Sequence, residues 1–426
     1  DLLRAIEKAT GYNLLYLFDQ YVFRGGHPDY KVSYSWDGDG QLAKLTVSQT
    51  QVKENDKDLF NLKIPVAFNY LSGENKTFTL AIKEKEQSFY FPLEKKPDFV
   101  SFDLGNNYLK TVELDYPLPE LKAQLKYDPD PISRIYAAGA IAKKGGLEAI
   151  NTLAESLREE SFWAVRLEVA KELGKVKLDQ AGTALMIGLE DQDTRVRRAA
   201  IEGLGQIKTP ESYSAVKQCL EKGDASYYTE AAAARCLGGM VGGNLKEKET
   251  EVIELLKTIL RERAGWNEIV RGGAIGGLSR LTTSPVAAEL IGEYAKLGVP
   301  GPLRLAAIRA LGAVSTGQTP DKLDAILEQL DAISAETFFL TQVAVASALE
   351  QMETPKAIGI LNALAQQTPD GRVRRLAEEA IKKVQKNLGP DKALKELREE
   401  FDKLKQENQE LKSRLAKLEA KSPLGD

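Results

Sequence analysis

Among 426 residues the sequence holds one histidine, His27, and two cysteines, Cys219 and Cys236. One imidazole excludes every two-histidine zinc site, H-E-x-x-H and Cys₂His₂ included. Two thiols make neither a disulfide framework nor a four-thiolate cluster, which points to a reducing cytoplasm. His27 sits in Gly26-His27-Pro28, where its neighbours already account for a turn. Asp37-Gly38-Asp39-Gly40 has the start of a calcium loop, but Gln41-Leu42-Ala43 supplies no further oxygen ligands, so a hairpin turn is expected. Cys219, near Val216 and Leu220, and Cys236, near Ala233 and Leu237, read as small buried hydrophobes. Gly203-Leu204-Gly205 lacks the rest of a dinucleotide fingerprint. Gly272-Gly273 and Gly276-Gly277 lack the Lys-Ser/Thr of a phosphate loop and instead permit close helix approach. Glu155, Glu159 and Glu160 read as a solvated surface. No nucleophile, base and oxyanion donor assemble at any usable spacing, so this chain is expected to be non-catalytic and to carry no cofactor.

The elements behind these residues change character along the chain. Leu2, Leu3, Ile6 and Ala9, then Leu14, Leu17, Phe18, Tyr21 and Val22, predict two short helices ended by Gly25 to Pro28. From Lys31 to Tyr116 the period falls to two. Val32, Tyr34 and Trp36 alternate, then Leu62 to Tyr70, Phe78 to Ile82, Phe89 to Leu93 and Val100 to Leu104. Such short, one-face-buried strands predict a small antiparallel β-sandwich, closed by Pro117 and Pro119. No apolar run reaches the roughly 18 residues of a membrane span.

From Leu121 to Leu388 one pattern recurs: a basic anchor, a small residue three later and an aliphatic one seven later. It runs Arg134-Ala137-Ile141, Arg166-Val169-Leu173, Arg197-Ala200-Leu204, Arg271-Ala274-Leu278, Arg304-Ala307-Leu311 and Arg374-Ala377-Ile381. Glu230-Ala233-Leu237 and Gln342-Val345-Leu349 keep the frame without the arginine. Successive anchors are 32, 31, 33, 41, 33, 38 and 32 residues apart. A period near 32 with two helices per unit predicts an all-α solenoid of about eight repeats. The Val-Arg pairs ending at Arg166, Arg197, Arg271 and Arg374, with Asp193 and Asp370 just ahead, resemble the HEAT repeat. That resemblance implies an Asp–Arg ladder between repeats, placing Asp193 with Arg197 and Asp370 with Arg374. The ladder is expected to be interrupted at Glu230 and Gln342, in the fourth and seventh units.

The last segment carries a heptad seam. Leu397, Leu404, Leu411 and Leu418 take d positions, and Leu394, Phe401, Asn408 and Leu415 take a. A lone Asn408 at a favours a parallel, in-register dimer. The g–e′ pairs Glu400–Lys405, Glu407–Lys412 and Arg414–Glu419 all attract. The expected domains are 1–28, the helical end of an upstream domain; 29–118, the sandwich; 119–388, the solenoid; and 389–426, the coiled-coil tail.

Thr10-Gly11-Tyr12-Asn13-Leu14, Leu17-Phe18-Asp19-Gln20-Tyr21, Gly26-His27-Pro28 and a strand ending in Gln49-Thr50-Gln51 resemble the M1 family of zinc metallo-aminopeptidases. The match is to the end of the catalytic domain and the small sandwich that follows it. The family's zinc motif and Gly-x-Met-Glu-Asn loop have no counterpart here, since Met186, Met240 and Met352 stand in other contexts. What the resemblance implies is architectural: the sandwich is a spacer, and the solenoid limits substrate access or recruits partners. On this reading the chain, which opens at Asp1 directly in helical pattern, is a C-terminal fragment, with zinc held only in an upstream catalytic domain. Its expected partners are that domain, a second copy through the tail, and a protein or peptide on the concave face. Membrane is not among them. The net charge, 58 − 62 = −4, and the want of aromatics among Arg195, Arg197, Arg198, Arg372, Arg374 and Arg375 argue against nucleic acid. The alternatives are an inactive M1-derived scaffold and a HEAT-type chromophore lyase or chaperone subunit.

Overall fold

Alternating apolar residues from Tyr30 to Leu114 pair into two sheets whose inner faces meet. The computed structural model describes residues 1–52, 58–176, 178–241, 243–352, 354–388 and 404–413. One sheet orders β5 (Glu86–Pro92), β2 (Leu42–Gln49), β1 (Asp29–Asp37) and β7 (Thr111–Asp115); the other orders β4 (Asn75–Ile82), β3 (Leu62–Asn69) and β6 (Phe99–Phe102). Val32, Leu45 and Val47 of the first sheet and Ile64, Val66 and Phe68 of the second are fully buried. Aromatic pairs bridge the sheets: Phe68 to Phe91 at 5.0 Å and Tyr30 to Phe102 at 5.6 Å between ring centroids. One pairing departs from the antiparallel expectation. β7 runs parallel to β1, Asp29 opposite Thr111, because the chain crosses to the second sheet before re-entering beside β1. All four residues of β6 are buried, since a helix covers its outer face.

Ahead of the sandwich stand α1 (Leu2–Thr10) and α2 (Leu15–Phe18), the latter running on into a π-helical turn, Asp19–Phe23. Gly11 ends α1 in the left-handed conformation, as a C-terminal glycine should.

After it come helical pairs: α3 (Leu118–Tyr127) with α4 (Pro131–Lys144), and α5 (Gly146–Glu159) with α6 (Trp163–Val176). The chain forms two compact units, and these four helices share the first, residues 1–176, with the sandwich. There α3 packs on β6 and α4 on β7. The second unit, 177–426, continues the pairs. They are α7 (Asp179–Leu185) and α8 (Thr194–Ile207), α9 (Pro210–Lys222) and α10 (Tyr227–Met240), then α11 (Glu249–Glu262) and α12 (Ile269–Leu278). α13 (Pro285–Tyr294) and α14 (Gly301–Ser315), α15 (Pro320–Ser334) and α16 (Phe339–Glu350), and α17 (Pro355–Gln367) and α18 (Gly371–Asn387) complete the run.

The second helix of each pair carries the anchor. Three and seven residues beyond it, every position from Ala137 to Ala377 is buried, and only Ile381 is half-buried. Those residues form the stripe on which α6 meets α4 in the first unit, and on which α8, α10, α12, α14, α16 and α18 stack in turn in the second. The first helices of the pairs touch one another only sparsely. Proline opens α9, α13, α15 and α17, where its missing N–H costs no hydrogen bond. The long step from Glu230 to Arg271 holds a 3₁₀ turn, Gly243–Lys248, and a loop in which Asn267 and Glu268 take positive φ.

Candidate functional site

The anchor residues build a polar ladder along the stacked helices. At Arg134 and Arg197 the anchor reaches back to a carbonyl six residues earlier and forward to a carboxylate at that same place in the next repeat. Arg134 donates to the Asp128 carbonyl at 2.7 Å and grips Glu160 at 2.8 and 3.2 Å. Arg197 donates to the Asp191 carbonyl at 2.7 Å and grips Asp224 at 2.7 and 2.8 Å. Arg304 holds Glu336 at 2.8 and 2.6 Å, with Nε on the Ala295 carbonyl. Such two-pronged pairs fix direction as well as charge. Burial pushes the Asp224 carboxyl up, but Arg197 and the Ser226 amide outweigh it and hold it below the usual carboxylate range. Arg166, almost fully buried, donates to the Glu160 and Ser161 carbonyls, both at 2.9 Å.

This corrects the expected pairing. Asp193 and Asp370, four residues before their anchors, are helix N-caps: their carboxylates accept from the Arg195 and Arg372 amides and pair with those arginines' own guanidinium groups. At that position the side chain faces the first turn of its own helix, where free N–H groups wait. The Arg372 guanidinium and amide together hold the Asp370 carboxyl at about 2. Arg374 turns to the Ala365 and Thr368 carbonyls, each at 3.3 Å. Arg271 pairs with Glu268 in its own entry loop, because the equivalent place in the next repeat is Gly298.

The two expected interruptions are substitutions of chemistry. Glu230 reverses the polarity: one oxygen accepts from the Asp224 amide at 3.2 Å and the other faces Arg263 at 3.5 Å. Gln342 replaces the ion pair with a buried hydrogen bond from Thr368, 3.0 Å. Glu160, expected on a solvated surface, is a half-buried ladder acid; Glu155 and Glu159 do lie on the surface, around Lys126. Asp128, Glu160, Asp191, Asp224 and Glu336 all precede an anchor by six, a spacing present in the sequence that the four-residue Asp-to-Arg spacing obscured.

Around the Arg197–Asp224 pair lies a cleft of about 350 Å³, lined also by Glu190, Cys219, Lys222 and Glu230. Cys219 is half-buried, and burial followed by the Glu190 charge raises its thiol pKa. Cys236, also half-buried, is pushed up to about 12 by burial. Neither thiol is ionised at neutral pH, so neither is an activated nucleophile. Gly273 and Gly277 do face α10: a Cβ there would lie 2.5 Å from the Ala231 Cα and from the Ala234 carbonyl oxygen. Gly238 answers from the other side, its Cβ position 2.0 Å from the Gly277 carbonyl oxygen.

In the first unit, three of the residues that carried the front-end resemblance hold residues 58–61. Gln20 accepts from the Asn61 amide, Gln49 both accepts from the Phe60 amide (2.9 Å) and donates to its carbonyl (2.8 Å), and Gln51 donates to the Asp58 carbonyl (3.3 Å) while accepting from the Asp29 amide (3.0 Å). His27 lies 3.3 Å from Asp29, partly exposed. Asp37 accepts from the Asp39 and Gly40 amides and closes the expected hairpin turn. Among the described residues no three of His, Cys, Asp and Glu cluster as a metal site would need. Among them, too, no helix is long and apolar enough to cross a membrane.

In the tail, residues 404–413 are helical, with Leu404 60% and Leu411 64% exposed and Asn408 exposed between them. Leu397 and Leu418 lie outside the described residues.

No curated protein matches the sequence. Aminopeptidase A of Legionella pneumophila, in complex with aspartic acid, is similar over 89% of this chain and 52% of its own, at a TM-score of 0.51 and 13% identity. This chain therefore spans about half of that protein's length. Human deoxyhypusine hydroxylase, in complex with glycerol, matches over 63% of this chain and 95% of its own, at 0.29 and 20%. The CpcE–CpcF complex of Nostoc phycocyanin lyase matches over 59% and 95%, at 0.37 and 22%. A family model of HEAT repeats matches residues 118–191 and 182–279, the stretch from α3 to α12, and the helical pairs beyond it continue a HEAT-like solenoid.

Proposed function

We propose that this chain is the C-terminal, non-catalytic region of an M1-type aminopeptidase-like protein, whose HEAT array limits access to an upstream zinc-bearing domain or recruits partners to it. The observation that carries this reading is the likeness in fold to the Legionella aminopeptidase across 89% of the chain, sandwich and helical pairs together. Residues 58–61, held by Gln20, Gln49 and Gln51, support it, because three of the residues that suggested the family act together in one place. The tail adds self-association: Leu404, Asn408 and Leu411 lie along one side of an exposed helix, as a zipper seam requires.

The test is to express the gene's whole product beside this chain and measure bound zinc and hydrolysis of aminoacyl p-nitroanilides. The reading expects zinc and activity in the whole product and neither in this chain. It further expects removal of the array to change the preference for peptide length. A whole product without zinc would leave a scaffold, and an active isolated chain would overturn the reading.

A further inference from the structure

We infer that the outward face of α8 to α14 is a docking groove for an acidic, extended polypeptide. Residues one, five and nine places after the anchors of α8 to α14 lie opposite the stripe that stacks the helices, since a helix returns to the same side every three to four residues. All but Ala231, which packs against Gly273 of α12, are at least partly exposed. In these four repeats those places hold Arg198, Arg235, Arg280 and Arg309 against a single acid, Glu202. Arg235, Arg280 and Arg309 are exposed and Arg198 half-buried. The surplus is local, and it is not neutralised. Among the described residues none of the four arginines pairs with a carboxylate, and Arg309 reaches only the Leu305 carbonyl of its own helix. In the last repeat the same places are neutralised, Arg375 by Glu379 and Lys383 by Glu350.

Glycine shapes the floor. A Cβ on Gly276 would stand 3.0 Å from Cγ of Arg235, and one on Gly239 4.0 Å from Cγ of Arg280. Both arginine stems therefore lie flat across bare backbone of the neighbouring repeat. Their head groups border an open groove of about 530 Å³ that also takes in Gln206, Lys208 and Cys236, with Glu202 as its one acid. Packed helices sit about 8–10 Å apart, while same-face side chains of an extended chain repeat about every 7 Å. A polypeptide laid across the helices, with carboxylates at every second or third residue, meets successive guanidinium groups. Carboxylates suit these forks, which bind them two bonds at a time. No aromatic residue lines the groove for base stacking, which favours peptide over single-stranded nucleic acid.

The test uses the full chain and a fluorescein-labelled (Glu-Gly)₅ decapeptide in anisotropy titrations at 50 and 300 mM salt. The neutral (Gln-Gly)₅ peptide and a single-stranded decanucleotide serve as comparisons. Saturable binding of the acidic peptide, weakened by salt and at least tenfold weaker in Arg235→Glu/Arg280→Glu, supports the groove; Arg375→Glu should leave it unchanged. Because these side chains are exposed, the variants should keep the wild-type circular dichroism. Slower alkylation of Cys236 with peptide present is a second readout. Equal affinity in both variants, no binding, or tighter binding of the oligonucleotide would overturn the proposal.

Discussion

Arg197 and Asp224, 27 residues apart, meet side by side, Nε on one carboxylate oxygen and Nη2 on the other, while the same guanidinium holds the Asp191 carbonyl. One side chain thus ties its own helix entry to that of the next repeat. Asp193, nearer in sequence, caps a helix instead.

That difference is measurable. Asp224→Ala removes the partner of a largely buried guanidinium and should cost about 2–3 kcal/mol; Asp193→Ala removes a cap and should cost about 1 kcal/mol. Urea unfolding of both variants orders them. Asp193→Ala as the costlier change would restore the shorter pairing.

Acid should weaken the same rung. The Asp224 carboxyl titrates lower in the folded chain than its ordinary value of about 3.9. Its stabilisation is therefore complete above that value and is lost as pH falls through the folded pKa. The stability gap between wild type and Asp224→Asn should hold from pH 7 to about pH 5 and close at lower pH. A gap independent of pH would mean that the carboxylate charge contributes nothing.

Two glycines on neighbouring helices should behave oppositely. Gly238→Ala drives a methyl into the Gly277 carbonyl and should cost about 3 kcal/mol or more. Gly272→Ala meets open space inside α12 and should add roughly 0.5–1 kcal/mol. Thermal melts of the two variants decide the matter.

The zipper gives a plain mass. The full chain should scatter light as a dimer and a chain cut after Leu388 as a monomer. Asn408→Leu should melt higher while forming mixed oligomers. An unchanged mass on truncation would place the tail against its own chain.

Thiol chemistry should be slow. Cys236, with its thiol near 12, should react with iodoacetamide at pH 8 far more slowly than a free cysteine, and Cys219 should also lag. Intact-mass spectra over an hour read both. Rapid modification of Cys236 would contradict its burial.

Periodicity determined most of the fold. Alternation from Val32 to Phe102 marks the strands, and the frame Arg197-Ala200-Leu204, repeated near every 32 residues, marks stacked helical pairs, because burial on one side imposes its period on the residues that supply it. Three things lay beyond it. β7 pairs parallel to β1, since pairing direction follows from the path between sheets and leaves no local pattern. Glu160 is a ladder acid although its neighbours Glu155 and Glu159 are solvated, since partners 26 residues away decide which carboxylate is half-buried. Arg235 and Arg280 share one groove only because Gly276 and Gly239 let their stems cross the neighbouring repeat. Sequence by itself determined which side of each helix is apolar and where each helix begins, since both are local matters of spacing and capping. Tertiary structure alone decided which charges meet, because a side chain's partner depends on the distance between repeats in space and not on their distance along the chain.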